Sequence, residues 1–150
     1  MEKYLITTGH GNSKFALNAF DNALLASGIA DYNLVKLSSI LPARCQRVNA
    51  LDLPKGTFLH TAYATHTEER IGVVISAAVA IAIPKDRSLS GVIMKASGEL
   101  EPDEANEMAC SMARIAMDAR GINEYDIENE AVSVKTTEGY NCVIAAVSIW

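Results

Sequence analysis

The stretch Val73-Val-Ile-Ser-Ala-Ala-Val-Ala-Ile-Ala-Ile83 decides the architecture. Ile75, Ala77, Val79, Ile81 and Ile83 fall on one face of an extended strand, and Ser76, Ala78, Ala80 and Ala82 on the other. A strand with one face in water alternates apolar and polar residues. Here both faces are apolar, so both are covered. One face is bulky and the other nearly all small, which lets another layer approach closely. The run is also too short for a bilayer, which needs about 20 apolar residues in a row.

Outward from this strand, a period-2 or period-3.6 pattern covers most of the chain. Residues 3–8 read as a strand leading into a Gly9-His10-Gly11-Asn12-Ser13 turn. Ser13 is placed to cap a helix that ends at Gly28, with Leu17, Phe20 and Leu24 as its buried stripe. Strands are predicted at 33–37, 57–65, 71–83 and 90–97. A second helix starts near Pro102 and closes at Arg120-Gly121, with Ala105, Met108, Ala109, Met112 and Ala116 facing inward. Residues 130–137 and 141–149 read as a hairpin across Glu138-Gly139. Two helices and about seven strands, covered on both sides, suggest an α/β (α+β) fold layered helix, sheet, sheet, helix.

Composition sets the limits. The chain has 150 residues, 49% hydrophobic and 21% charged, with net charge -5, which fits one folded domain and excludes disorder. Thirteen basic residues face 18 acidic ones, so no nucleic-acid partner is expected. No basic leader with an apolar stretch opens the sequence, and no membrane association is expected. Cys45, Cys110 and Cys142 are odd in number and far apart, which suits a reducing, cytoplasmic setting without disulfides. No Cys/His pair has zinc spacing, so no metal site is read.

Two features could carry chemistry, and a third passes without comment on residue type alone. Asp21 follows Leu17 by four residues and precedes Leu24 by three, which places a carboxylate inside the expected apolar stripe. Such a group either reaches water or an arginine at the stripe's edge, or it lines a pocket for a cation. Ser38 and Ser39 follow a predicted strand, where adjacent serines ordinarily make a turn. No G-x-S-x-G elbow surrounds them, so a hydrolase triad is weakly supported. Lys95 lies on a predicted strand, where a lone lysine is ordinarily a solvated charge.

Leu17-Asn-Ala-Phe-Asp-Asn-Ala-Leu-Leu-Ala-Ser-Gly28, then Asn33-Leu-Val-Lys-Leu-Ser-Ser-Ile-Leu-Pro42, Ala82-Ile-Pro-Lys-Asp86 and Gly91-Val-Ile-Met94, in that order, resemble the pyruvoyl-dependent arginine decarboxylases over nearly the whole chain. The resemblance implies a four-layer αββα sandwich that assembles as a homo-oligomer, a trimer with sites at subunit boundaries. It implies self-cleavage between Ser38 and Ser39 into a β chain, 1–38, and an α chain, 39–150. Ser39 becomes a pyruvoyl group, the covalent cofactor, with no pyridoxal phosphate and no metal. L-arginine then reacts through a Schiff base to that group and leaves as agmatine and CO₂, a step toward polyamines.

The resemblance also assigns residues. Asn33 would donate to the oxyanion of self-cleavage, and Asp21, with Leu17 one turn before it, would hold the substrate guanidinium. The chain departs from the family pattern at Lys95, where a glutamate thought to donate the product proton is usual. Ala43 replaces a second proline, and Tyr32 is bulkier than the usual aliphatic residue. Three readings stay open. They are an arginine decarboxylase with a substituted acid, a decarboxylase of another basic amino acid, and a catalytically impaired paralogue that binds arginine or agmatine or assembles with an active partner.

Overall fold

The computed structural model describes residues 1–150. In chain order the elements are β1 (Lys3–Ser13), α1 (Ala16–Ser27), β2 (Asn33–Lys36), β3 (Ile40–Leu41), β4 (Gln46–Arg47), β5 (Phe58–Glu68), β6 (Val74–Pro84), β7 (Gly91–Gly98), α2 (Pro102–Asp118), β8 (Tyr125–Lys135) and β9 (Tyr140–Ile149). The strands form two sheets, ordered β2-β5-β9-β1-β4 and β3-β7-β6-β8. Helix α1 covers the outer face of the first sheet and α2 that of the second. The fold is a single-domain α+β sandwich of four layers, αββα, as expected.

Strand β6 does what its pattern requires. Its bulky face, Ile75 to Ile83, meets Ile6, Val143, Val147 and Ile149 of the first sheet to form the core between the sheets. Its small face, Ala78, Ala80 and Ala82, lies under Ala105, Ala109 and Ala113 of α2. Alanine against alanine brings helix and sheet close, and dispersion contacts replace bulk. Strand β9 is the counterpart in the first sheet, buried from Asn141 through Ile149. Replacing a buried isoleucine such as Ile81 with alanine costs about 2–5 kcal/mol at sites of this kind.

The segment read as a turn at Gly9–Ser13 is the second half of β1, paired with β9 out to Ser13 and Tyr140. Its glycines answer to packing. A Cβ on Gly9 would lie 2.4 Å from the Ala23 carbonyl oxygen, and one on Gly11 would lie 2.4 Å from the Ala23 nitrogen. Helix α1 rests directly on these two residues. That contact also corrects the expected helix stripe. α1 buries Ala19, Ala23, Leu24 and Ser27, whereas Leu17 is 77% exposed and Asp21 is also exposed. Small residues seat the helix, so the alanines turn inward and Asp21 stands in solvent.

Other details differ from expectation. Ser13 remains in β1 and does not cap α1, whose N-cap is Phe15 without a side-chain cap, while Gly28 ends the helix in the left-handed region as expected. Met108 is exposed, and α2 instead buries Cys110, Ala113 and Met117 beside Ala105, Ala109 and Ala116. β8 and β9 are not a hairpin, because β8 pairs with β6 and β9 with β1 and β5. The turn at Glu138-Gly139 carries the chain between sheets. The two-residue strands β3 and β4 are too short to leave a periodic trace.

Gly11→Val should destabilise the fold by about 3 kcal/mol or more, because its neighbours are helix backbone that cannot yield. Urea unfolding followed by circular dichroism checks this.

Candidate active site

The segment from β2 to β3 passes from one sheet to the other. β2 is the edge strand of the first sheet and β3 that of the second. Both ends of the crossing are fixed. The Leu37 N–H donates to the Thr61 carbonyl of β5 at 3.0 Å, and the Ser39 carbonyl accepts from the Ile93 N–H of β7 at 2.7 Å. Ser38 is the one residue between these anchors, so the two sheet edges approach here to within the reach of two extended residues, about 7 Å. Ser38 is exposed and Ser39 half-buried. A hydroxyl on Ser39 therefore sits beside a carbonyl whose flanking backbone cannot drift.

Lys95 completes this geometry. Its Nζ donates to the Ser38 carbonyl oxygen at 2.6 Å. Ile93 faces the core between the sheets, and strand alternation puts Lys95 and Ser97 on that same inward face. Ser97 confirms the direction by donating to the Thr65 carbonyl across the gap at 3.0 Å. The expectation of a solvated surface lysine is thus corrected: Lys95 is half-buried at the mouth between the sheet edges. Burial pushes its ammonium below the usual lysine range, and the charge of Lys36 adds to the effect. Lys36 itself stacks over the Tyr63 ring, 4.9 Å from its centroid, and Tyr63 meets Phe20 of α1 at 6.4 Å.

The remaining predicted residues lie elsewhere in the chain. Asn33 opens β2 at the end away from Ser38, and its amide donates to the Gly56 carbonyl at 2.8 Å. Within one chain that amide holds a turn. Asp21 and Leu17 project from the outer side of α1, and no hydrogen bond or ion pair links Asp21 to the Ser38–Ser39 segment. Tyr32 donates to the Leu53 carbonyl at 3.1 Å, near the start of β2. Sequence reasoning missed Thr61, Ile93 and Lys36. The alternation of Ile93, Lys95 and Ser97 was the available signal for an inward lysine.

These features define a class: a two-sheet α+β sandwich whose two-serine crossover is pinned at both sheet edges with a cation on its carbonyl. A sequence model of the family "Pyruvoyl-dependent arginine decarboxylase (PvlArgDC)" matches residues 3–150. A protein of Methanocaldococcus jannaschii named pyruvoyl-dependent arginine decarboxylase is 39% identical over 145 residues, covering 97% of this chain and 87% of its own length. Like-named proteins of Methanococcus aeolicus and Thermococcus kodakarensis are 39% identical over 145 and 131 residues, covering 97% and 85% of this chain and 87% and 82% of their own lengths. The chain belongs to the pyruvoyl-dependent arginine decarboxylase family.

Lys95 should titrate below the ordinary lysine range. Lys36→Gln should move it only part of the way back, because burial is the larger cause. NMR titration of the lysine side-chain signals checks both.

Proposed function

We propose that this chain cuts itself between Ser38 and Ser39 and, with a pyruvoyl group at residue 39, converts L-arginine to agmatine and CO₂. The observation that carries the reading is the pinned crossover. Leu37 and Ser39 are each bonded to a different sheet, and the carbonyl between them is already polarised by Lys95. Ser39 fits the group that family membership implies, since its own carbonyl is held by Ile93 and the residue is half-buried. A pyruvoyl amide supplies an electrophilic ketone that joins the substrate amine and accepts the electron pair released as CO₂ departs.

The chain's own residues supply binding and orientation. Asp21 is an unpaired carboxylate on α1, suited to a bidentate guanidinium pair, with the Leu17 side chain one turn away to cover the substrate's methylenes. Asp21 makes no contact with Ser39 in its own chain, which supports a site completed by a second copy. Exposed Leu17, Val35, Ile40 and Phe58, with Val35 and Ile40 on the two edge strands that flank the crossover, fit burial in such an assembly. We assign a homo-oligomer, a trimer of cleaved protomers. Lys95, whose Nζ reaches the Ser38 carbonyl, is the protic group placed to return a proton near residue 39. The three free, buried cysteines support a reducing cytoplasm.

One specific observation favours a second reading. Lys95 stands where an acid would be usual and is engaged with Ser38. A paralogue that binds arginine or agmatine without turnover fits that substitution.

Intact-mass analysis of purified protein should show fragments 1–38 and 39–150, the larger resistant to Edman sequencing. A single uncut chain would remove the enzyme reading, and cut protein that binds arginine without releasing CO₂ would select the second. Asp21→Asn should raise KM for arginine at least ~10-fold by losing a charged bidentate pair while leaving the cut intact. Unchanged arginine kinetics would end that assignment.

A further inference from the structure

We propose that Lys95 is a catalytic residue of the self-cleavage itself: its ammonium stabilises the oxyanion that forms on the Ser38 carbonyl oxygen and then pairs with the carboxylate left there. The inference rests on the Ser38–Ser39 reading above and adds the group that drives it.

The geometry is direct. Nζ lies 2.6 Å from the Ser38 oxygen, within reach of a charge-assisted bond, and no other side chain donates to that oxygen. Its position is fixed by β7, whose Ile93 N–H also holds the Ser39 carbonyl, so one strand grips both sides of the scissile link. The setting is half-buried, where a cation acts more strongly than in bulk water. Neither Lys95 nor Lys36 has an acidic partner in the uncut chain, since neither joins any ion pair. The two cations lie near enough for their charges to oppose, and neither is paired with an anion.

Self-cleavage makes that anion. The Ser39 Oγ attacks the Ser38 carbonyl carbon, a C–Oγ bond forms, and the carbonyl electron pair moves onto oxygen. The pair returns, the C–N bond breaks, and the Oγ proton ends on the freed Ser39 nitrogen, giving an ester. Solvent water then takes the Ser39 Cα proton, the C–H electron pair forms a Cα=Cβ bond, and the Cβ–Oγ bond breaks with its pair leaving on Oγ as the Ser38 carboxylate. Water converts the remaining enamine into the ketone and releases ammonia. Negative charge thus appears on the Ser38 carboxyl oxygens twice, transiently and then permanently. A donor aimed at such a site is worth about 10²–10³ in rate. The burial and like-charge repulsion that weaken the ammonium beforehand are offset once the carboxylate is present.

The test follows newly made precursor in a cell-free translation chase, read by intact mass. Lys95→Met should slow cutting about 100-fold, whereas Lys95→Arg should stay within about 10-fold of wild type. Uncut Lys95→Cys precursor, treated with 2-bromoethylamine, regains an ammonium on a thioether. The three native cysteines are buried, which directs the reagent to the new thiol. Restored cutting would support the role and show that the variant was folded. Lys95→Met cutting at the wild-type rate, or alkylated Lys95→Cys that carries the added mass and stays whole, would overturn it. Wild-type precursor that never cuts would instead overturn the proposed function beneath it.

Discussion

The chain must pass from the edge of one sheet to the edge of the other within a single residue. Leu37 is bonded to β5 and Ser39 to β7, and Ser38 alone spans the interval. Much of the molecule serves this constraint. The two sheets keep their spacing because β6 and β9, both buried on both faces, press bulky residues against each other at the centre. Each sheet is backed by a helix seated on small residues, Gly9 and Gly11 under α1 and Ala78, Ala80 and Ala82 under α2. A sandwich so supported changes its edge spacing little, because close-packed interiors transmit strain instead of absorbing it. The crossover is therefore held by the whole body, and a reactive backbone needs such support to persist.

Long elements with a clear period are legible in the sequence. β6, α2 and the αββα layering follow from patterns that depend only on which faces are buried. The failures share a cause. Gly9-His-Gly11 looks like a turn because glycine usually marks one, yet here it records the approach of a helix from elsewhere in the sequence. Leu17, Phe20 and Leu24 look like a stripe by size; Leu24 is buried and Phe20 half-buried, but close contact seats Ala19 and Ala23 instead of Leu17, and Asp21 emerges. The turn at Glu138-Gly139 satisfies local turn chemistry equally well whether the next strand stays in its sheet or leaves it. Such choices are settled by tertiary packing, which no local window contains.

The site was half legible. The Ser38–Ser39 pair and Asp21 were visible through resemblance, but their environments were not. Lys95 drew notice only as a departure from the family pattern, although its alternation with Ile93 already pointed it inward. One chain shows no contact between Asp21 and Ser39. Helix α1 lies over β1 and β9 at the middle of its sheet, while the crossover leaves from β2 at the edge.

A lysine at the reacting end poses a difficulty for decarboxylation. A free cation there would grip the substrate carboxylate and stabilise the ground state from which CO₂ must leave. The proposed role in cleavage removes the difficulty. Once the Ser38 carboxylate exists at contact distance, Lys95 is neutralised by a partner tethered within the same protomer, and a diffusing carboxylate competes poorly with one at such effective concentration. Lys36, engaged with the Tyr63 ring, remains as a weaker, more exposed positive charge. Arginine would then be oriented mainly from its far end, by its guanidinium on Asp21, with its own carboxylate left in a less solvated place. On the proposed reading, a substitution that looks inhibitory in the uncut chain is compatible with turnover once that chain is cut.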